Sequence, residues 1–385
     1  MISRLQEKVI LNQFGDNKIV VLLGPRQTGK TTLALKIAKE SGLQYSIWNC
    51  DEADIQAAIT NASHIKLQNM IGNKKLIVID EAQRIENIGL TLKIIYDTIP
   101  GIKIIATGSS AFELANKINE PLTGRKWEYN IWPVSFEEMV NHTDWFTEKR
   151  QLEDRLIYGY YPEVVNKPTE RQDVLQSLGS SYLYKDILSW KNIKYPDRIG
   201  KLAQALALQI GQQISYNELA QITGMDKETV ERYIDLLEKA FIVYRLYSFS
   251  RNVRNELKKN RKIYFYDNGL RNAIINNFKP LALRSDTGAL WENWLMTERL
   301  KYLHYNKIYC SRYFWRTQAQ QEIDYIEERD GQLFAFEFKW NPKAKGTISK
   351  TFTNNYPGSA GKIITPDNME EFLISSSTKL FSAKN

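Results

Sequence analysis

KIVVLLGPRQTGKTTLALKIAKE, residues Lys18–Glu40, decides the fold of the first third of the chain. Its opening, Lys18–Leu23, is a run of apolar β-formers that reads as a buried strand, and its end, Thr32–Glu40, reads as a helix. Between them GPRQTGKT (Gly24, Pro25, Arg26, Gln27, Thr28, Gly29, Lys30, Thr31) fills the pattern G-x-x-x-x-G-K-[ST] completely. Strand, glycine loop and helix in that order make a phosphate cradle, continued into the helix by Thr32. The loop's backbone N–H groups surround the phosphates, Lys30 reaches the β and γ oxygens, and the Thr31 hydroxyl ligates Mg²⁺. The helix N-terminus adds its partial positive charge.

Further along, KLIVID (Lys75–Asp80) is a second buried strand that ends in Asp80-Glu81. Asp80 is placed to hold Mg²⁺ with Thr31, and Glu81 to orient and deprotonate an attacking water, the Walker B arrangement. A third strand, within Ile102–Ser110, carries Thr107, Ser109 and Ser110 at its carboxyl end, where hydroxyls sense a γ-phosphate. Parallel strands joined by crossover helices place their ligands at these carboxyl ends.

Bulk properties set the class. A chain of 385 residues exceeds one ordinary core and implies two or three domains. With 43% hydrophobic and 25% charged residues the composition is that of a soluble globular protein. No apolar run reaches the ~18 residues of a membrane span, and MISRLQEKVI lacks the apolar segment of a signal peptide, so the expected location is the cytoplasm, with no membrane partner. Cys50 and Cys310 are expected as reduced thiols, and His64, His142 and His304 have no zinc-ligand spacing.

The ordered pieces GPRQTGKTTL, LIVIDEAQRI, ATGSSAFEL, LTGRKWEYNIWPVSFEE and YGYYPEVV resemble the AAA-type ATPases of bacteria and archaea that carry a C-terminal domain long catalogued as of unknown function. The resemblance implies ATP as substrate, Mg²⁺ as its ion and a homo-oligomeric assembly. It also places the TGR segment in the nucleotide site or its intersubunit face, which makes Arg125 the candidate arginine finger, with Arg26 and Arg84 as rivals.

The middle of the chain reads as a helical segment rich in Tyr and Leu without a catalytic constellation, followed by helix, Gly-containing turn, helix and strands, a winged helix. Val230, Ile234, Leu237 and Phe241 form its apolar stripe. Its second helix, Asp226–Lys239, carries five acidic against three basic residues, which suits a phosphate-walled groove poorly. Arg245–Arg271, with eight basic residues against Glu256 and Asp267 and a net charge of +6, is the better contact for DNA or another nucleic acid. Tyr247, Phe249, Tyr264 and Phe265 interleave these charges.

The last part holds QEIDYIEERDGQLFAFEFKW, Gln321–Trp340. A two-residue turn at Asp330-Gly331 pairs residues whose numbers sum to 661, so that Asp324 faces Glu337 and Glu322 and Lys339 share their face. Two facing carboxylates repel by up to about 1 kcal/mol, which asks for a cation between them. The preceding helix SDTGALWENWLMTERLKYL supplies Glu292, with Leu290, Trp294 and Leu295 on a core face. Helix, strands and residues together resemble the PD-(D/E)XK nuclease fold, with Ile323 in place of the usual Pro before the strand Asp. The resemblance implies Glu292, Asp324 and Glu337 as ligands of Mg²⁺ or Mn²⁺, and Lys339 as the residue that positions or deprotonates the attacking water.

The expected fold is therefore α/β. A P-loop AAA-type ATPase domain spans 1–145, a helical segment 146–205, a winged helix 206–270 and a PD-(D/E)XK-like domain 285–385. The expected function is an ATPase whose nucleotide state controls a metal-dependent nuclease-like domain acting on nucleic acid. The rival is an ATPase switch or scaffold whose last domain keeps the fold as a binding module and cuts nothing.

Overall fold

Five strands form the sheet of the first unit: β1 (Ile19–Leu23), β2 (Tyr45–Asn49), β3 (Leu76–Asp80), β4 (Lys103–Gly108) and β5 (Lys126–Asn130). This is a computed structural model, and it describes residues 2–109, 118, 120–181, 196–250, 260–343 and 346–374. The strand order is β2-β3-β4-β1-β5 and every pairing is parallel. Interior strand β1 reads IVVLL and is buried at each position, because a parallel sheet is covered on both faces. Val20, Leu22, Val78 and Ile105 pack on Leu33, Ala34 and Ile37 of the helix Lys30–Glu40. The compact units divide the chain as Met1–Val134 with Lys239–Phe241, and Ser135–Glu238 with Ile242–Asn385.

The second unit contains a seven-stranded sheet: β6 (Gln213–Ile214), β7 (Val243–Ser248), β8 (Arg261–Phe265), β9 (Ser311–Arg316), β10 (Glu322–Arg329), β11 (Gln332–Phe338) and β12 (Ala360–Ile364). Its order is β12-β11-β10-β9-β7-β8-β6. Tyr247 and Ser248 of β7 pair in parallel with Tyr313 and Phe314 of β9, so strands from 206–270 and strands from 285–385 lie in one continuous sheet. Helices Tyr216–Thr223 and Lys227–Lys239 precede β7, each started by a side-chain cap from Ser215 or Asp226, with Gly224 at φ 69° closing the first. Val230, Tyr233, Ile234 and Leu237 bury one face of the second helix.

In the β10–β11 hairpin Tyr325 pairs with Phe336 and Arg329 with Gln332, the register summing to 661. Asp330 and Gly331 both have positive φ, 49° and 79°, as a tight two-residue turn requires. Tyr325, Phe336 and Phe338 stack around Phe372, while Ile326, Leu333 and Ala335 pack with Phe352, so both faces of the hairpin are covered.

The helix Thr287–Tyr305 departs from the amphipathic expectation: Trp291, Trp294 and Leu295 are buried, and so are Asn293, Glu298, Arg299 and Lys301. The buried Asn293, Glu298, Arg299 and Lys301 side chains each have a partner. Arg299 makes a two-point contact with Glu327 at 2.7 and 3.1 Å, Lys301 donates to Glu298 at 2.7 Å, and Glu298 accepts the Phe136 N–H at 2.7 Å. Polar residues on an inward face therefore read as solvent-facing in the sequence, although internal pairing removes the cost of burying them.

Candidate functional site

Strand β1 ends at Leu23, and the chain turns at Gly24, whose φ of 150° and closeness to Ile131 O, 2.2 Å from where a Cβ would sit, admit only glycine. Gly29 is left-handed at φ 85° with nothing within 4 Å of its Cβ position, so the loop is open on that side. Lys30 Nζ donates to Pro25 O at 2.6 Å and Thr28 Oγ1 to the same carbonyl at 2.9 Å. The loop thus closes on itself around its lysine, and Arg26, Gln27 and Thr32 complete the turn into the helix.

Asp80 and Glu81 stand beside it. Thr31 Oγ1 donates to Asp80 Oδ1 at 2.8 Å and Thr107 Oγ1 to the same oxygen at 2.5 Å. Glu81 has φ 51°, a left-handed conformation that costs a non-glycine residue about 1–3 kcal/mol, and its N–H is held by Thr107 Oγ1 at 3.1 Å. The Glu81 carboxylate accepts from Gln83 Nε2 and from Ser109 Oγ, and Gln83 Nε2 also donates to Ser109 Oγ at 2.9 Å. The cluster is acidic: burial, then Asp80, Asp51 and Glu81, push the Cys50 thiol up to about 12. A glycine cradle, a lysine and a hydroxyl–carboxylate pair fit a nucleoside triphosphate with Mg²⁺, with Thr31 and Asp80 as the residues to hold the ion. Gln83 carried no role in the sequence reading, although its place two residues after Glu81 was visible. Ser110 lies outside the described residues.

The three arginines separate. Arg84 Nε pairs with Asp51 at 3.0 Å after β2, and Arg26 is on the loop, so both stand at the carboxyl edge of the sheet. Arg125 stands at the other edge: its carbonyl accepts the N–H of Ile19 at 2.9 Å, at the start of β1, which leaves the intersubunit face as its expected place. A strand of five residues separates it from the loop by roughly 15 Å. Its guanidinium pairs with Asp97 at 3.1 Å, so it is not part of this chain's own nucleotide site.

The second cluster belongs to the seven-stranded sheet. Lys262 of β8, 2% exposed, lies 3.2 Å from Glu292 Oε1 and 2.5 Å from Glu322 Oε1. Tyr264 OH donates to Glu292 at 2.6 Å, and Arg316 lies 3.3 Å from the other oxygen of Glu322. Asp324 accepts the Phe338 N–H at 2.8 Å, and Lys339 Nζ donates to Glu337 at 3.0 Å. Burial pulls the Lys262 ammonium down, but Glu292, Glu322 and Asp324 outweigh it and leave the group raised. Burial, then Asp324, push Glu337 up to about 7 against the pull of Lys339. Burial also raises Glu292 against Lys262. A hollow of about 410 Å³ opens beside Glu322, Glu337, Lys339, Thr347, Ser349 and Lys350.

Glu292, Asp324 and Glu337 thus come within electrostatic reach of one another, yet among the described residues no group of three or more His, Cys, Asp and Glu side chains could hold a metal ion. Within this trio Glu292 is paired with the ammonium of Lys262, which also reaches Glu322 and comes from a strand that the sequence assigned to another module.

The basic stretch changes in the same way. Arg245 pairs with Asp235 and, at 3.2 Å, with Glu238, and Arg271 pairs with Asp286 at 2.6 Å. Arg261 lies over Tyr216 near Glu231, while Tyr264 and Phe265 are core residues. Four of the eight counted charges are paired with acids outside the stretch, and Arg251, Arg254, Lys258 and Lys259 lie outside the described residues.

Residues 16–140 match the family model described as an AAA domain, while 149–281 and 287–383 each match a model described as a domain of unknown function. An uncharacterized protein of Mycobacterium tuberculosis is 27% identical over 331 residues, covering 83% of this chain and 70% of its own. One from Haemophilus influenzae is 28% identical over 306 residues (71% and 74%), and one from Methanocaldococcus jannaschii 29% over 310 (70% and 65%). The structure of a Walker-type ATPase of Pyrococcus abyssi aligns with a TM-score of 0.50 at 16% identity, over 71% of this chain and 96% of that one. The first unit carries a P-loop AAA ATPase domain, and ATP is the nucleotide that such a domain takes, usually with Mg²⁺. Among the described residues no helix is long and apolar enough to cross a membrane.

Proposed function

We propose that the chain is a cytoplasmic ATP-hydrolysing switch whose C-terminal domain, of PD-(D/E)XK-like fold, is a binding module that does not cut. In the first domain Lys30 neutralises the β and γ phosphates, Thr31 and Asp80 hold Mg²⁺, and Glu81 orients the attacking water and takes its proton. Mg²⁺ supplies charge neutralisation between the phosphates. Ser109 and Gln83, which share the Glu81 carboxylate, set its orientation. A finger arginine comes from Arg26 or Arg84 in this chain, or from Arg125 of a neighbouring copy in a homo-oligomer.

The observation that carries the non-cutting reading is Lys262, buried between Glu292 and Glu322. A fixed ammonium supplies positive charge that Glu292 and Glu322 would otherwise draw from a divalent ion, and expelling it would leave these half-buried acids with only Tyr264 and Arg316. The test is incubation with single- and double-stranded DNA and RNA, with Mg²⁺ or Mn²⁺ and with or without ATP, beside Glu337→Ala. The reading expects intact substrates throughout.

A second reading, ATP-controlled metal-dependent cleavage of nucleic acid, is favoured by one feature: Glu337 and Lys339, 3.0 Å apart, border the open hollow. In it Glu292, Asp324 and Glu337 hold Mg²⁺ or Mn²⁺ and Lys339 activates the water. Cleavage that depends on metal and disappears in Glu337→Ala would establish it. In either reading DNA or RNA would be held through the basic residues of 251–259.

A further inference from the structure

We propose that Arg4 is a positioning residue for nucleotide binding, which holds the phosphate loop from behind in the one peptide orientation that presents a donor to the phosphates. Its guanidinium is buried, 9% exposed, and makes two contacts at once: Nη1 donates to Thr28 O and Nη2 to Trp132 O, each at 2.7 Å. Thr28 is in the loop, and Trp132 follows β5. Ile131, next to Trp132, is anchored by its N–H to Leu23 O at 2.7 Å and abuts Gly24, so the support to which Arg4 ties the loop is itself fixed.

The consequence follows from peptide geometry. In a trans peptide the C=O and the N–H of the same unit point in opposite directions. Holding Thr28 C=O on the buried Arg4 therefore directs the Gly29 N–H away from it, toward the open side of the loop. Gly29 has φ 85°, and glycine takes either sign of φ at little cost, so the Thr28–Gly29 peptide can turn over. Turned over, it would present a carbonyl oxygen, an acceptor, to an anion. Arg4 prevents this with a charge-assisted bond to that carbonyl, and its charge also polarises the amide so that the N–H donates more strongly. Lysine at this position would reach one carbonyl as a point charge and lose the fork that joins the two.

The inference rests on the ATPase reading, and one titration series separates the two. Binding of ATP, ADP and, by competition, adenosine is measured for the parent, Arg4→Ala, Arg4→Lys and, as the control for the cradle, Lys30→Ala. Loss of a charge-assisted bond predicts that ATP and ADP bind about ten- to a hundredfold more weakly to Arg4→Ala, and Arg4→Lys falls between. Adenosine, which has no phosphate, binds all of them alike. Millimolar guanidinium restores part of the ATP affinity of Arg4→Ala and none of that of Lys30→Ala. An Arg4→Ala protein that binds ATP as the parent does overturns the inference, and so does an equal loss for ATP and adenosine without guanidinium rescue, which is the signature of a general lesion. If Arg4→Ala does not fold, Arg4→Lys decides: undiminished ATP affinity overturns the two-carbonyl role. A parent that binds no ATP sinks the ATPase reading and the inference with it, whereas tight binding by parent and Arg4→Ala alike sinks the inference alone.

Discussion

Two acidic clusters in this protein look alike on paper and are built differently. At the carboxyl edge of the parallel sheet, Asp80 and Glu81 accept hydrogen bonds from neutral donors: Thr31, Thr107, Ser109 and Gln83. In the seven-stranded sheet, Glu292 and Glu322 face the ammonium of Lys262, and Glu337 faces that of Lys339. Hydroxyls and amides orient a carboxylate without neutralising it, so the first cluster keeps its demand for a cation. Ammonium groups answer part of that demand from within the chain, although burial and Asp324 still push Glu337 up to about 7. Counting acids therefore does not identify a metal site; the charge of whatever faces them decides it.

That contrast can be broken at several points. The largest effect is expected at Glu81, where Glu81→Gln should keep ATP binding while turnover falls about a hundred- to ten-thousandfold. Turnover at the parent rate would mean that Gln83 and Ser109 orient a bystander. Next is Lys262→Met, which leaves the half-buried Glu292 and Glu322 without the ammonium between them and should lower the unfolding free energy at pH 8 by up to about 3–5 kcal/mol in urea titrations. Adding Glu292→Gln should recover part of the loss, and a stable single variant would deny Lys262 its neutralising role.

A smaller effect concerns pH. Glu337 is raised from 4.5 to about 7 on folding, so between those values the folded chain binds more protons than the unfolded one. Stability should therefore fall as pH rises through that window, by about 3 kcal/mol, and level off beyond it. Glu337→Gln should flatten this slope and be the more stable protein at pH 8. A slope that persists in the variant would assign the titration to another group. The smallest effect separates internal from external charge: Arg245→Ser should leave the salt dependence of nucleic-acid binding unchanged, whereas Lys258→Ser and Lys259→Ser should each make it shallower by about 0.9 per lost phosphate contact. Equal slopes in all three would place the binding surface elsewhere.

What could be read from the sequence was what is decided locally. The phosphate loop is eight consecutive residues between a strand and a helix, and the hairpin register follows from Asp330-Gly331 because a two-residue turn leaves one alignment. What escaped was decided at a distance. Lys262 reaches Glu322 across 60 residues and Arg4 reaches Trp132 across 128, and no spacing announces either contact. The +6 stretch misled because Asp235, Glu238, Glu322 and Asp286, which neutralise its arginines and lysine, are elsewhere in the chain or on a neighbouring helix. Where Arg125 stands could not be read either: its motif adjoins β5, and only the strand direction shows that it enters that strand at the end far from the loop.

The most direct test is a calorimetric titration of Mn²⁺ into the Lys30→Ala protein, in which the nucleotide cradle is disabled, beside the same protein carrying Asp324→Asn or Glu337→Gln. With Lys262 and Lys339 facing the acids of the second cluster, the account predicts no saturable heat in any of the three. A saturable signal near one ion per chain that disappears in both carboxylate variants would contradict it and make the C-terminal domain a metal site.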